Sequence, residues 1–423
     1  MIPQEIRKVM ILVKGYLVGG SVRDMLMGKE PGDYDIATPF TPEEVTKILH
    51  KNKIKTYNVG KEFGTVGALI PPYKVEITTF RKEAYDFVSR KPKVVFGTSL
   101  IEDLKRRDFT INALALSPDG KVIDICGGLE DLKNGIIRFV GNPKERILED
   151  PLRILRAFRF ASKYNFKIDE NSQQAIKKYV GEMSRLSKER IHQELLKAAL
   201  TNNFRLYCEL NMKFGAFAYY GPTWKEIMHL MPKVKHSTGF GHYGESVWEH
   251  TMDVVGRMDR WHYPVRLKVA GLLHDVGKVK TYSVKDGVVH FYEHEKVGSV
   301  IAEKMLRELK ASRREINYVV YMVKNHMVIG FAIDNYIKGN KRTLSRLIGK
   351  SLMYGYGELI IDLCKLYEAD ANKKIPKPLF EKIKEAAKFH VPKMPPEKIK
   401  TIPPKERRNY LYGLLVQKIM TIL

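Results

Sequence analysis

The chain has 423 residues, 44% of them hydrophobic, with 73 Lys and Arg against 48 Asp and Glu, a net charge of +25. That length exceeds one ordinary core and predicts two to four domains, and the charge excess predicts a polyanionic partner. Three distant cysteines, Cys126, Cys208 and Cys364, exclude a disulfide scaffold and fit a reducing cytoplasm. No run of about 18 apolar residues occurs, so no membrane span or membrane partner is expected, and the opening MIPQEIRKVMILVKG lacks the apolar length and cleavage site of a signal peptide.

Residues 1 to 140 alternate strand-like and helix-like segments. Strands are expected at 15–18, 34–36, 66–70, 74–79, 113–117 and 136–139. A helix starts at Thr41-Pro42-Glu43-Glu44, with Thr as N-cap, Pro in the first turn and acids at the positive end. This region reads as a head built on one mixed sheet. From 141 to 235 the period becomes helical, in ILEDPLRILRAFRFASKYN and, behind a Ser cap, in SKERIHQELLKAAL. Breaks at Tyr220-Gly221-Pro222 and at Ser237-Thr238-Gly239-Phe240-Gly241 place a boundary near 235. A third, all-helical region is expected over 236–390. Residues 371–423 hold 13 Lys and Arg against 4 Asp and Glu, and 391–423 reads as a basic extension ending in an amphipathic helix, LYGLLVQKIMTIL. The fold class expected is α+β.

The densest chemistry lies in GYLVGGSVRDMLMGKEPGDYDIAT. Alternate residues on a strand share a face, so Asp33 and Asp35 point together and Tyr34 away. Two carboxylates on one face need a counter-charge. Mg²⁺ suits them, because it takes oxygen ligands and is shared readily with substrate phosphates. The Gly19-Gly20-Ser21 turn after the apolar strand puts backbone N–H groups where a triphosphate could lie. Together these features point to metal-assisted nucleotidyl transfer.

Here the chain resembles the class II tRNA nucleotidyltransferases, the CCA-adding enzymes of the polymerase-beta-like superfamily, from about residue 15 to 200. The resemblance implies a polymerase-beta-like head and two Mg²⁺ ions held by Asp33, Asp35 and Glu76 of KVEITTF. Such a pair, about 4 Å apart, activates a 3′-hydroxyl and steadies pyrophosphate. Gly20, Ser21 and Arg23 of the glycine turn, and Arg107, Asp108 and Asn112 of EDLKRRDFTINALAL, would bind the nucleotide's phosphates and ribose. DICGGLEDLKNGII resembles the motif that links head to neck. In EDPLRILRAFRF, the i,i+4 and i,i+3 spacings place Glu149, Asp150 and Arg153 on one helical face. An ordinary salt bridge explains that spacing equally well. The resemblance makes Glu149, Asp150, Arg153 and Arg156 an amino-acid template that selects C and A. The implied activity is template-independent addition of C and A from CTP and ATP to the 3′ end of tRNA. Gly60-Lys61-Glu62-Phe63-Gly64-Thr65-Val66 looks like the CCA-adding form and unlike a bacterial poly(A) polymerase. FRKEAYDFVSRKPKVVF, 80–96, keeps the length of the flexible loop that CC-adding enzymes lack. The family's glycine near the loop's start is replaced around Glu83-Ala84, which leaves an A-only adder open.

Beyond residue 240, five segments carry His and Asp: His250, His274-Asp275, His294, His326 and Asp370. Imidazole and carboxylate donors suit a divalent transition metal better than Mg²⁺. The order H…HD…H…H…D resembles the HD-domain phosphohydrolases. The resemblance implies a mononuclear set of His250, His274, Asp275 and Asp370, with His294 and His326 holding a second metal or phosphate and Lys278 aiding phosphate binding. Its substrates would be 2′,3′-cyclic phosphates or nucleoside monophosphates, and the pairing of activities would clean damaged RNA 3′ ends.

Overall fold

The computed structural model describes residues 2–60, 64–84, 93–96, 99–236 and 245–423. The chain forms two compact units, Met1–Leu186 and Ser187–Leu423, so the division falls inside the stretch expected over 141–235. The middle of 80–96, the Lys61-Glu62-Phe63 part of the preceding pattern and the Ser237–Gly241 break lie outside the described residues.

The first unit is organised by a seven-stranded mixed sheet. Its strands are β1 (Tyr16–Val18), β2 (Tyr34–Thr38), β3 (Thr56–Gly60), β4 (Thr65–Ile70), β5 (Tyr73–Thr79), β8 (Leu114–Leu116) and β9 (Val122–Asp124), in the order β3-β4-β5-β2-β1-β8-β9. A separate antiparallel pair joins β6 (Arg81–Ala84) to β7 (Lys93–Phe96). Among the described residues, only β2 and β5 run parallel within the large sheet; the other pairs are antiparallel. Strand alternation sorts the residues by face. Leu17, Ile36, Val75 and Ile77 join a buried core with Ile6, Val9 and Met10 of the helix Gln4–Leu12 and Val45 and Leu49 of the helix Pro42–Lys51. The second helix begins as expected, with a full capping box between Thr41 and Glu44. The opposite face carries a thinner cluster of Val18, Ala37, Phe80, Leu104 and Ala115, and this face presents the acidic side chains. Strands β3 and β9 extend the sheet beyond the expected set. The segment expected at 136–139 contributes only β10 (Ile136–Ile137), which pairs in parallel with β11 (Lys167–Ile168) outside the large sheet.

Among its described residues the second unit is helical apart from a hairpin of β12 (Tyr282–Lys285) and β13 (Val288–Phe291), which corrects the all-helical expectation for this region. Its turn residues Asp286 and Gly287 both have positive φ, 52° and 75°, as a two-residue hairpin turn requires. The helix Arg313–Ile337 is long and apolar enough to cross a membrane, but 56% of its apolar window is buried within the unit. The C-terminal segment is not a free tail. The helix Pro404–Ile422 buries Leu415 and Ile419. Within the same unit the Tyr412 hydroxyl donates to the Arg346 carbonyl at 3.2 Å.

Candidate active site and candidate metal centre

Two adjacent parallel strands bring the head's acidic residues together. Asp35 on β2 is in register with Glu76 on β5, one step from the buried pair Ile36 and Ile77. Asp33 sits just before β2, exposed at the rim, while Asp35 is half-buried. Burial pushes Asp35 up to about 6, the charges of Asp33 and Glu76 add to the rise, and Arg107 and Arg23 oppose it. Asp35 is thus held above its ordinary pKa first by burial and then by two neighbouring carboxylates, an acidic site that favours a cation. Oxygen-only donors of this kind fit Mg²⁺.

The glycine turn meets this cluster. Gly19 has φ +69°, and a Cβ there would lie 2.6 Å from Arg107 Nη1 and 3.9 Å from Asp35 Oδ2. Only glycine lets the turn adopt this φ without strain and approach so closely. The short helix Gly20–Leu26 follows, with no side-chain cap on its first N–H groups. Ser21 is buried and gives its hydroxyl proton to the Val18 carbonyl, 3.0 Å away. Arg107 is anchored from behind by Asp103, whose Oδ2 accepts from Nη2 at 3.0 Å, and Arg106 Nη2 bonds the other oxygen at 2.8 Å. Asp103 was not among the sequence candidates. Its position three and four residues before two arginines, at a helical spacing, was the available signal.

A polar chain extends from this point. Arg23 is buried under the rings of Phe160 and Tyr164, at 5.2 and 4.8 Å from their centroids, and donates to Asn112 Oδ1. Asn112 Nδ2 donates to Asp108 Oδ1 at 2.9 Å, and Arg156 grips Asp108 Oδ2 through Nε at 2.8 Å and Nη2 at 2.5 Å. Burial alone would raise Asp108, but Arg156 and the Asn112 amide outweigh it and hold the carboxyl down at about 2. Asp108 is therefore a carboxylate at neutral pH.

The segment around Asp150 departs from the single helical face expected for Glu149, Asp150 and Arg153. One helix ends at Glu149 (Pro143–Glu149), another begins at Leu152 (Leu152–Tyr164), and Asp150 between them is extended, with φ −145° and ψ 100°. Pro151 is the cause, since its ring disfavours the α conformation in the preceding residue. The Glu149–Arg153 ion pair survives the break at 2.6 Å. Arg153 also donates to the carbonyls of Arg146 and Arg106, each at 3.0 Å. Asp150 Oδ1 accepts from the Leu152 N–H at 3.1 Å, where the second helix begins.

In the second unit the five predicted segments converge. His250 lies on the helix Val247–Arg260, His274 and Asp275 follow the helix Val265–Leu273, His294 opens the helix His294–Glu308, His326 lies on Arg313–Ile337, and Asp370 ends Leu359–Asp370. The approach of the His274-Asp275 segment to His294 is made possible by Gly277, where a Cβ would stand 2.0 Å from the His294 carbonyl oxygen. Asp275 is the centre. His250 and His274 Nε2 lie 3.6 and 3.3 Å from its Oδ2, while His294 and His326 Nε2 lie 3.4 and 3.7 Å from its Oδ1. Asp370 Oδ1 is 2.9 Å from His250 Nε2 and 3.5 Å from His274 Nε2. His236, absent from the sequence candidates, joins this cluster.

The donor set fits a metal. In His274, His294 and His326, Nδ1 faces a backbone carbonyl three residues earlier, at 2.8, 2.9 and 2.7 Å. A carbonyl only accepts, so each Nδ1 carries the hydrogen and each Nε2 of a neutral ring turns a lone pair inward, the arrangement metal-binding histidines use. The Nε2 atoms of His294 and His326 face each other at 3.2 Å, an arrangement that a shared cation relieves. Burial would raise Asp275 and Asp370, yet His274 with Lys278 for the first, and His250 with His274 for the second, hold both well below the carboxylate range. Burial likewise opposes a charged His274, but Asp275 and Asp370 push it up to about 10. Positive charge is demanded at this point, and a divalent cation supplies it while displacing the proton.

The poly A polymerase head domain family matches residues 15–138, the family described as a probable RNA and SrmB-binding site of polymerase A matches 165–228, and the HD domain family matches 247–371. The curated proteins to which about half of the chain is similar are CCA-adding enzymes. The chain is 47% identical over 211 residues to a CCA-adding enzyme of Ligilactobacillus salivarius, covering 48% of this chain and 51% of that protein. It is 49% identical over 191 residues to one from Enterococcus faecalis, covering 45% and 46%. The chain thus spans about half the length of the curated relatives it matches. Over its whole length it is similar to the Bacillus stearothermophilus CCA-adding enzyme in complex with CTP, with a TM-score of 0.71 and 25% identity over 99% of this chain and 94% of that one. The Thermotoga maritima CCA-adding enzyme complexed with tRNA shares the fold, with a TM-score of 0.61 and 22% identity over 99% and 92%.

The raised pKa of Asp35 has a stability consequence. A carboxyl whose folded pKa exceeds its unfolded value stabilises the fold below the unfolded pKa, near 3.8, and that contribution is lost as pH rises through about 6. Asp35→Asn is therefore expected to stabilise the chelator-treated protein at pH 7.5 by up to about 3 kcal/mol, and to have little effect near pH 3.5. Urea denaturation at the two pH values checks this. A destabilised Asp35→Asn at pH 7.5 would show that burial and the neighbouring carboxylates do not penalise the charged form of Asp35.

Proposed function

We propose that the protein adds C and A, without a nucleic-acid template, to the 3′ end of tRNA. The observation that carries this is the in-register pair Asp35 and Glu76, with Asp33 at the rim and the Gly19 turn and Arg107 closing on the same point. Mg²⁺ held by Asp33, Asp35 and Glu76 would make the terminal 3′-hydroxyl a better nucleophile and neutralise charge on the leaving pyrophosphate. Arg107, backed by Asp103, offers its guanidinium to the triphosphate beside the uncapped start of the Gly20–Leu26 helix. Asp108 and Asn112 take the ribose, with Arg23 and Arg156 fixing their orientation. Glu149, Asp150, Arg153 and Arg156 read the base edge. CTP as a substrate is supported by likeness to the CTP-bound bacterial enzyme, and tRNA as partner by the CCA-adding relatives and the +25 charge. The proposed domains are a head over 1–140, a neck and body over 141–235, an HD domain over 236–390 and a basic segment over 391–423, in a cytoplasmic enzyme.

The test is incubation with tRNA ending at the discriminator base, in C, or in CC, with CTP and ATP singly and together. CTP alone should add two residues to the first substrate, ATP alone should extend only the CC end, and both should complete CCA. Extension of the CC end alone would make the protein an A-adding enzyme that works with a separate CC-adding partner. Long A tails on unrelated RNA would make it a poly(A) polymerase. No extension of any substrate would overturn the proposal.

Base choice has its own test. A bidentate side-chain contact to a base edge discriminates by about 1–3 kcal/mol. Arg153→Ala and Asp150→Ala are therefore expected to lower the preference for C and A over U and G by roughly 10- to 100-fold in competition assays. An unchanged preference would reduce the Glu149–Arg153 pair to a structural salt bridge.

For the second unit we propose a metal-dependent phosphohydrolase acting on 2′,3′-cyclic phosphates or nucleoside monophosphates. His250, His274, Asp275 and Asp370 would hold a divalent transition metal, and His294 and His326 the other side of Asp275. When bound, such a metal supplies an activated water for attack on phosphorus. Lys278, whose Nζ lies 2.6 Å from Asp275 Oδ2, is placed to pair with the substrate phosphate.

A further inference from the structure

We propose that His236 is an additional ligand of the cation held by His250, His274, Asp275 and Asp370, a role outside the five-segment pattern and dependent on the metal centre proposed above. His236 is buried, and its Nε2 lies 3.5 Å from Asp275 Oδ2. That separation matches the 3.3 and 3.6 Å made to the same oxygen by His274 and His250. The ligand atoms of His236, His250 and Asp275 all fall within 4.8 Å of one another. Bonds of about 2.0–2.2 Å from nitrogen and oxygen to a shared metal produce separations of this order between neighbouring donors.

The backbone sets the ring deliberately toward the centre. The His236 N–H donates to the Glu245 carbonyl at 2.7 Å, and Lys235 forms a β-bridge with Ser246. Ser246 is the N-cap of the helix that carries His250. The two imidazoles therefore belong to one braced element, and their rings stack with centroids 4.1 Å apart and planes 25° from parallel.

Lys278 reveals the polarity of the position. Its Nζ lies 2.6 Å from His236 Nε2 and 2.6 Å from Asp275 Oδ2. An ammonium only donates, so in this contact His236 Nε2 is the acceptor, with its lone pair turned to Lys278 Nζ beside Asp275. A positive group already bridges these two atoms. A ring nitrogen that accepts at this point is placed to take a metal ion in the position the ammonium now fills. The sequence pattern conceals His236 because it precedes Ser237-Thr238-Gly239, which reads as a linker, and stands 14 positions before His250.

The test uses the full chain, stripped with chelator and titrated with Co²⁺ against a chromophoric competitor. His236→Phe keeps a ring to stack on His250 and removes the nitrogen donor. It is expected to weaken Co²⁺ binding at least about tenfold and to change the visible d–d absorption of the bound ion. Equal affinity and an identical spectrum would overturn the inference while leaving the metal centre standing. X-ray absorption on the wild type with one equivalent of Co²⁺ decides the matter if the variant does not fold. Three imidazole ligands support the inference, and two overturn it. A wild type that binds no Co²⁺ would overturn the metal centre itself, a distinguishable result.

Discussion

Asp35→Ala is expected to lower nucleotide addition by about 10²–10³-fold or more, the scale on which loss of transition-state charge stabilisation is felt, while tRNA affinity stays within about twofold because phosphate contacts carry it. The same result is expected of Asp33→Ala. The asymmetry between turnover and binding follows from placement. Asp35 and Glu76 leave the sheet on the face opposite Ile36 and Ile77, so truncating Asp35 removes nothing from the large core. It also removes a carboxylate that burial and Asp33 push up to about 6, so misfolding does not explain a loss of activity. Single-turnover addition of A to a CC-ending tRNA, with binding measured separately, checks both parts. Turnover within tenfold of wild type in either variant would defeat the assignment of these carboxylates to the cations. A matching loss of tRNA affinity would mean that the site also organises the RNA.

The acidic face of the sheet was legible because its signals are local. Asp33 and Asp35 alternate around Tyr34, and Thr41 to Glu44 spells a capping box that the structure forms completely. The convergence of the His and Asp side chains was legible for a different reason: six polar residues in five segments recur where helices should be apolar, and burying them needs a common partner. The missed features each have a physical source. Glu149, Asp150 and Arg153 have helical spacing, but Pro151 acts on the residue before it and leaves Asp150 extended. The hairpin of β12 and β13 is written in Val284-Lys285-Asp286-Gly287-Val288, a two-residue turn flanked by β-branched residues. It was overlooked because the surrounding period is helical. Strand β9 is three residues long and half-buried along its length, too short for alternation to register. The C-terminal helix has apolar residues whose partners, Arg342–Met353 and Lys377–Ala387, lie far back in the chain, and such pairing leaves no local trace.

His274→Ala should abolish phosphohydrolase activity, by about 10²-fold or more, and leave CCA addition within about twofold. His274 is fully buried, with its Nε2 shared between Asp275 at 3.3 Å and Asp370 at 3.5 Å. Removing it leaves two buried carboxylates with one fewer cationic or coordinating partner, and a metal site that has lost a ligand binds weakly. Asp275→Ala removes the residue that both halves of the cluster share, and it strands Lys278 beside His236. Its effect on hydrolysis should be as large, at a greater cost in folding, since an uncompensated buried charge costs about 3–5 kcal/mol. Asp370→Asn preserves shape and is the better companion variant. Neither His274 nor Asp370 belongs to the compact unit of Met1–Leu186 that holds Asp33, Asp35 and Glu76, so nucleotide addition has no direct need of them. Metal content by mass spectrometry should fall together with hydrolysis of a 2′,3′-cyclic phosphate. Metal retained at the wild-type level in His274→Ala would remove that histidine from the ligand set. Loss of CCA addition in a variant that stays folded and binds tRNA would show that the two chemistries are coupled through the chain.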